Sequence, residues 1–276
     1  MTVGRRAFYR GLVMEPFVKA RPDAPHGYFA CEAAGLRWLT VPGGPRVVHV
    51  RVVAPGSLTL DRLTEVPPTA DAARDFGRRL ATLHDAGAPA WGALPPGVDA
   101  GFFGPLDEPL PMPGGAWGTW ARFYGEARLL PMLDLGRRRG VFDGSDAAAF
   151  AAVVARLDDL AGPAADDVPA RLHGDLWSEN VLWVRRPHDD AVEAVLIDPA
   201  AHGGHREADL AMLALFGTSF LDEIVAGYGE AHPLARGWQH RVTLHQLFPV
   251  AAHAVLFGGG FVGQTRRILG ALAAGS

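Results

Sequence analysis

The chain has 276 residues, 49% of them hydrophobic and 20% charged, the composition of a folded globular protein rather than a disordered or fibrous one. Twenty-six basic against 30 acidic side chains leave a net charge of −4, which excludes the basic excess that binds nucleic acid or anionic membrane through charge alone. A single cysteine, Cys31, excludes an internal disulfide and a cysteine-based zinc site, and the early charges of the N-terminus argue against a secretory signal, so a cytoplasmic protein is expected.

The first 64 residues read as short extended pieces around one helix. Phe8 to Val18 is extended, a helix follows from about His26 to Leu39, and the β-branched run Val47 to Val53 and the segment Leu58 to Leu63 are strands separated by Pro42-Gly43-Gly44-Pro45 and Pro55-Gly56. In the helix, Phe29, Ala33 and Leu36 share one stripe and Glu32 sits on its flank, able to reach a neighbouring strand. Of the 26 basic residues 25 are Arg; the sole lysine is Lys19. Where nearly every cation is a guanidinium, a surviving lysine marks a place that wants a compact ammonium.

After Pro67-Pro68 the pattern becomes helical, which puts a domain boundary near residue 65, between a smaller part over 1–64 and a larger one over 65–276. Helices are expected over Thr69 to Asp85, Trp120 to Gly136 and Asp146 to Leu160, the last capped by Ser145 or Asp146. The Gly- and Pro-rich stretch from Gly87 to Gly118 is too long for a structureless loop and is read as an ordered excursion. Val242 to Thr265 lacks Asp, Glu, Lys and Arg but contains His, Gln, Pro and Gly, so it is read as buried helix rather than a membrane span.

The chemistry concentrates between residues 172 and 209. His173-Gly174-Asp175 leads through Trp177 and Asn180 into the strand Val181 to Val184; a turn over Arg185 to Asp190 returns the chain through Val192 to Ile197 into Asp198. The two ends of that hairpin lie on the same side, so Asp175, Asn180 and Asp198 converge. Hard oxygen donors with room left for water and phosphate suit magnesium.

His173-Gly174-Asp175 with Asn180 five residues after the aspartate resembles the catalytic loop of kinases, with glycine in the middle position as in aminoglycoside phosphotransferases. The longer string His173-Gly174-Asp175-Leu176-Trp177-Ser178-x-Asn180, with Ile197-Asp198-Pro199-Ala200 and His202-Gly203-Gly204-His205-Arg206-Glu207-Ala208-Asp209, resembles the fructosamine kinase family, as do Phe17-Val18-Lys19, Glu32-Ala33-Ala34-Gly35-Leu36 and Gly101-Phe102-Phe103-Gly104-Pro105. The resemblance spans nearly the whole chain. It implies an α+β, two-lobed protein-kinase-like fold, with a small antiparallel sheet and one helix in the N-lobe and a larger, mainly helical C-lobe. It also implies ATP and Mg2+ as cofactors and phosphorylation of a sugar hydroxyl on a small-molecule ketosamine or glycated amine, with no nucleic acid or membrane partner.

Carried over by position, the resemblance makes Asp175 the catalytic base, Lys19 the phosphate ligand paired with Glu32, and Asn180 and Asp198 the metal ligands. The backbone near Asp61, Arg62 and Leu63 would meet adenine. Trp177 and His202 are candidates for the substrate side or the layer behind it, and Asp209 for a brace behind the loop; His173 is read as structural. Only Gly4 and Gly11 precede Lys19 in place of a glycine-rich phosphate lid, so the lid is expected to be short. Three other readings compete. An aminoglycoside or other hydroxyl phosphotransferase would need an acidic acceptor surface, for which Asp158, Asp159, Asp166 and Asp167 look too solvated. A metal-dependent hydrolase would use His173, Asp175, Asp198, His202 and His205 as ligands but leaves Lys19, Glu32 and Asn180 without a role. An inactive nucleotide-binding module is opposed by the intact Asp175, Asn180 and Asp198.

Overall fold

The computed structural model describes residues 15–274. The extended start at Phe8 and the lid glycines Gly4 and Gly11 lie outside that range.

Alternating side chains let β1 (Phe17–Ala20) pair antiparallel with β4 (Ser57–Leu60), which pairs in turn with β3 (Val50–Ala54). This three-stranded sheet turns Leu58 and Leu60 inward onto Phe29, Ala33 and Leu36 of α1 (Tyr28–Leu39), the stripe expected from their spacing. Phe17 and Val18 at the start of β1 stay exposed. The valine run is not one strand. Arg46 and Val47 form β2 and leave the small sheet to pair in parallel with β9 (Val192–Leu196), Arg46 opposite Val195 and Val47 opposite Leu196. An N-terminal strand is thus hydrogen-bonded into the hairpin formed by β8 (Val181–Arg185) and β9, an arrangement that local periodicity cannot encode because the partner lies 149 residues away at Arg46 and Val195.

Beyond Leu60 the chain is extended without strand pairing until Thr69, whose hydroxyl caps α2 (Ala70–Asp85). The stretch from Gly87 to Gly118 is ordered around the hairpin β5 (Gly101–Phe103) and β6 (Leu110–Met112) and a bridge between Trp91 and Trp117. The helix expected over Trp120 to Gly136 forms as α3 (Trp120–Tyr124) and α4 (Leu130–Arg138) joined through a π-helical turn over Gly125–Leu129. The next expected helix is split into α5 (Gly144–Val154) and α6 (Leu157–Ala161). Its cap is Asp143 rather than Ser145 or Asp146, with Asp146 closing a capping box.

A short strand, β7 (Ala170–Leu172), pairs with β10 (His202–Gly204) on either side of the chemical segment. Four helices complete the larger part: α7 (Glu207–Leu215), α8 (Leu221–Ala231), α9 (Trp238–Phe257) and α10 (Gly260–Ala274). Helices α2 and α8 cross backbone to backbone. A Cβ on Gly77 would meet the Ile224 carbonyl at 2.0 Å and one on Gly227 the Arg74 carbonyl at 2.0 Å, so only glycine permits that crossing. The uncharged stretch from Val242 is the buried α9 and the start of α10, and among the described residues no helix is long and apolar enough to cross a membrane.

Candidate active site

Strand β7 delivers the chain into His173-Gly174-Asp175, and the loop is held from three directions. Gly174 has φ 83°, and a Cβ there would meet the Ala200 carbonyl at 2.2 Å, so both conformation and space require glycine. From behind, Asp209 accepts the backbone N–H of His173 at 2.8 Å and of Gly174 at 2.9 Å. His84 donates from Nε2 to Asp209 at 3.1 Å and accepts at Nδ1 from the Tyr228 hydroxyl at 2.9 Å; burial pulls its pKa down, so the ring is neutral and its two nitrogens can take those opposite roles. From the side, His173 donates from Nε2 to the Ile197 carbonyl at 2.8 Å and accepts the Asp175 N–H at Nδ1 at 3.3 Å. One imidazole ties the His173-Gly174-Asp175 loop to the strand end that carries Asp198.

The sequence-predicted carboxylates converge as expected. Asn180 donates from Nδ2 to the Asp175 carbonyl at 2.8 Å and to Asp175 Oδ2 at 3.3 Å. Asp198 takes the left-handed conformation, φ 52°, at the end of its strand. Lys19 Nζ lies 2.9 and 3.0 Å from the two oxygens of Glu32 and 2.9 Å from Asp198 Oδ1. Burial opposes the ammonium, but the two carboxylates outweigh it and hold the Lys19 pKa above its ordinary value. The Glu32 carboxyl pKa is also raised, by burial first, while the Lys19 ammonium pulls it back. The Asp175 carboxyl is raised to about 7, by burial first and then by the charges of Asp198 and Asp209.

Two cavities meet at Asp198. One, about 360 Å³, is lined by Lys19, Glu32, Asp175, Trp177 and Asn180. The other, about 690 Å³, runs along Phe17, Val48, Leu60, Arg62 and Leu63 to Trp183. Asp61 borders the larger cavity, but its N–H is already given to the His49 carbonyl at 3.0 Å and its carboxylate to Arg51 at 2.5 Å. Arg62 and Leu63 border the same cavity.

Of the two places open to His202, it takes the one behind the loop: it does not line the smaller cavity and is buried, with Nδ1 donating to the Ala200 carbonyl at 2.8 Å. The hydrolase ligand set does not assemble, because its histidines hold backbone groups instead: His173 as above, and His205 with Nε2 on the Ala164 carbonyl and Nδ1 accepting the Glu207 N–H. His205, Glu207 and His245 do cluster closely enough to surround a metal, yet both Glu207 oxygens are already held by Arg241, at 2.5 and 2.8 Å. Sequence reasoning missed His253 and Phe257, which line the smaller cavity from one face of α9. The signal was present: the two are four residues apart on a helix, in a stretch without charge.

The sequence profile of the fructosamine kinase family matches residues 7–274. The chain belongs to the fructosamine kinase family. A candidate ketoamine kinase of Synechocystis is 33% identical over 92% of this chain and 81% of its own; a mouse ketosamine-3-kinase is 31% identical over 55% of this chain and 46% of its own. Among solved structures, a candidate fructosamine-3-kinase from Thermobifida fusca superposes with a TM-score of 0.83 at 44% identity, covering 95% of this chain and 86% of that one. An aminoglycoside phosphotransferase in complex with gentamicin shares the fold alone, with a TM-score of 0.56 at 11% identity over 93% of this chain and 83% of its own. The kinase-like architecture expected from the motifs, a small antiparallel sheet with one helix and a mainly helical remainder, is the architecture of this family member.

Proposed function

We propose that this fructosamine kinase family member transfers the γ-phosphoryl group of ATP to a sugar hydroxyl of a ketosamine. The observation that carries the proposal is the junction at Asp198: a long cleft beside Arg62 and Leu63 on one side, a smaller chamber holding Asp175 on the other. ATP lies in the long cleft with its phosphates toward Lys19, and the acceptor enters the chamber toward Asp175. Residues 1–64 are then the nucleotide side and 65–276 the acceptor side.

Asp175 orients the acceptor hydroxyl and receives its proton as the new P–O bond forms; Asn180, which donates to that carboxylate, fixes its direction. Lys19, released from Asp198 when phosphate arrives, keeps its contact with Glu32 and meets the phosphate oxygens. Asn180 and Asp198 fit Mg2+: they are neighbouring hard-oxygen donors, and with its amide nitrogen turned to Asp175 the Asn180 side chain has its oxygen available. A magnesium ion held there supplies charge neutralisation for the phosphates. His173 and Asp209 keep the loop in place without touching substrate.

A ketosamine suits the chamber better than a polycationic antibiotic. Among the described residues its carboxylates are Glu32, Asp175 and Asp198, all engaged in the chemistry, and the remaining walls are largely aromatic and apolar, with Trp177, Phe102, His253 and Phe257. Asp158, Asp159, Asp166 and Asp167 do not line it. The test is magnesium-dependent ADP release with fructoselysine, a ribulosamine, kanamycin or no acceptor. Release stimulated by a ketosamine supports the proposal, and stimulation by kanamycin alone overturns it.

A further inference from the structure

Behind the His173-Gly174-Asp175 loop lies a small cavity of about 40 Å³, bordered by Arg128, Gly174, His202, His205 and His245. Its dominant feature is a charge without a counter-charge. Arg128 is 2% exposed. Its Nη1 gives hydrogen bonds at 3.0 Å to the Pro113 and Ala127 carbonyls, and its plane lies against Phe123, 4.6 Å from the ring centroid. Among the described residues, Nε and Nη2 have no hydrogen-bond partner, and no carboxylate pairs with the guanidinium. Residues 1–14 contain no Asp or Glu that could supply one. Nε–H and Nη2–H form one edge of the guanidinium, the edge that grips an anion with two parallel donors.

The rest of the lining is consistent with an anion. His245 is 3% exposed and already faces a carboxylate, with Nε2 3.4 Å from Glu207 Oε2. The nearby acids are already satisfied: Glu207 by Arg241, and Asp209 by His84 and the two loop amides. Burial pulls the Arg128 pKa down to about 9, which leaves it a cation at neutral pH. A lone buried cation is strongly unfavourable unless paired. At about 40 Å³ the cavity has room for about three or four particles of water size, which need about 10–15 Å³ each.

We propose that this cavity binds one small monovalent anion of chloride size, held on the Nε/Nη2 edge of Arg128, as a structural counter-ion beneath the His173-Gly174-Asp175 loop. The site is separate from the phosphate and acceptor chambers and stands or falls independently of the kinase reaction. Water alone would satisfy the N–H groups without neutralising the charge, so the two occupants separate experimentally. Crystals of the full chain grown in bromide are expected to show an anomalous peak within hydrogen-bonding distance of Arg128 Nε and Nη2; no peak there overturns the proposal. In solution at constant ionic strength, replacing gluconate by chloride is expected to raise the melting temperature saturably, by roughly 5 °C at about a hundred times the dissociation constant. Arg128→Met, where it folds, should abolish the chloride dependence; an equal dependence in the variant contradicts the assignment, and the bromide experiment on the unaltered protein decides the matter if the variant does not fold.

Discussion

Asp209 lies 36 residues after His173 in the chain and accepts its backbone N–H at 2.8 Å. The His173-Gly174-Asp175 loop is therefore braced by a side chain at the start of α7, which is itself fixed through His84 to Tyr228 and Arg206. Asp209→Asn replaces an acceptor of three N–H groups by an amide that must turn one of its own donors toward them. The variant should lose about 1–3 kcal/mol of stability and roughly tenfold or more in kcat, with the KM for ATP close to that of the unaltered enzyme. Steady-state kinetics beside a urea titration measure both; an equal loss in ATP binding would show that the brace serves the nucleotide cleft instead.

The base itself should behave differently from its brace. Asp175→Asn keeps the size and the contact with Asn180 but cannot take a proton, so turnover should fall by about 10²–10⁴ while ATP still binds. Equilibrium titration with a fluorescent nucleotide and initial-rate measurements on one preparation check this. Turnover within threefold of the unaltered enzyme would remove Asp175 from the mechanism.

Lys19→Arg tests the reason for the solitary lysine. The ammonium sits between Glu32 and Asp198 with all three contacts at 2.9–3.0 Å, and a planar guanidinium cannot occupy that point without moving one of the acids. The expected result is a rise in the KM for ATP of at least tenfold together with a fall in kcat, despite conserved charge. Activity retained in full would mean that charge alone is required.

These residues were legible because their constraints are local. Asp175 and Asn180 lie on one loop, Asp198 closes the same hairpin, and Lys19 stands out in a chain whose other basic residues are Arg. The stripe of Phe29, Ala33 and Leu36 likewise announced its own helix. What the sequence hid depends on distant partners: Arg46 and Val47 leaving their neighbours to pair with β9, and His253 and Phe257 arriving at the acceptor chamber from α9. The π-helical turn at Gly125–Leu129 adds a register shift that periodicity over Trp120 to Gly136 averages away.

The pair Glu207 and Arg241 makes a prediction about acid stability. Burial opposes the Glu207 carboxylate, but the contacts with His245 and Arg241 outweigh it and bring the pKa down to about 2, against about 4.3 for an unfolded glutamate. A depressed carboxyl stabilises the fold above the unfolded pKa, and that contribution is lost as the pH falls from about 4.3 toward 2. Glu207→Ala leaves Arg241 buried without its acid and should cost about 3–5 kcal/mol at pH 7, with a smaller difference from the unaltered protein at pH 3. Urea denaturation at the two pH values tests the sign; a difference that grows toward low pH contradicts it.

The crossing of α2 and α8 is the packing counterpart. Gly77→Ala would drive a methyl group into the Ile224 carbonyl, which backbone cannot yield without separating the helices. A loss of about 1–3 kcal/mol is expected, read from the midpoint of chemical unfolding. A neutral result would mean that the helices are farther apart than the structure places them.

The most direct test of the central claim is transfer of labelled γ-phosphate from ATP to fructoselysine by the purified protein in magnesium, run in parallel with Asp175→Asn. The account predicts label in a phosphorylated sugar from the unaltered enzyme and almost none from the variant. Label transferred equally by both would refute the mechanism, and ATP binding without transfer to any ketosamine would refute the assigned acceptor.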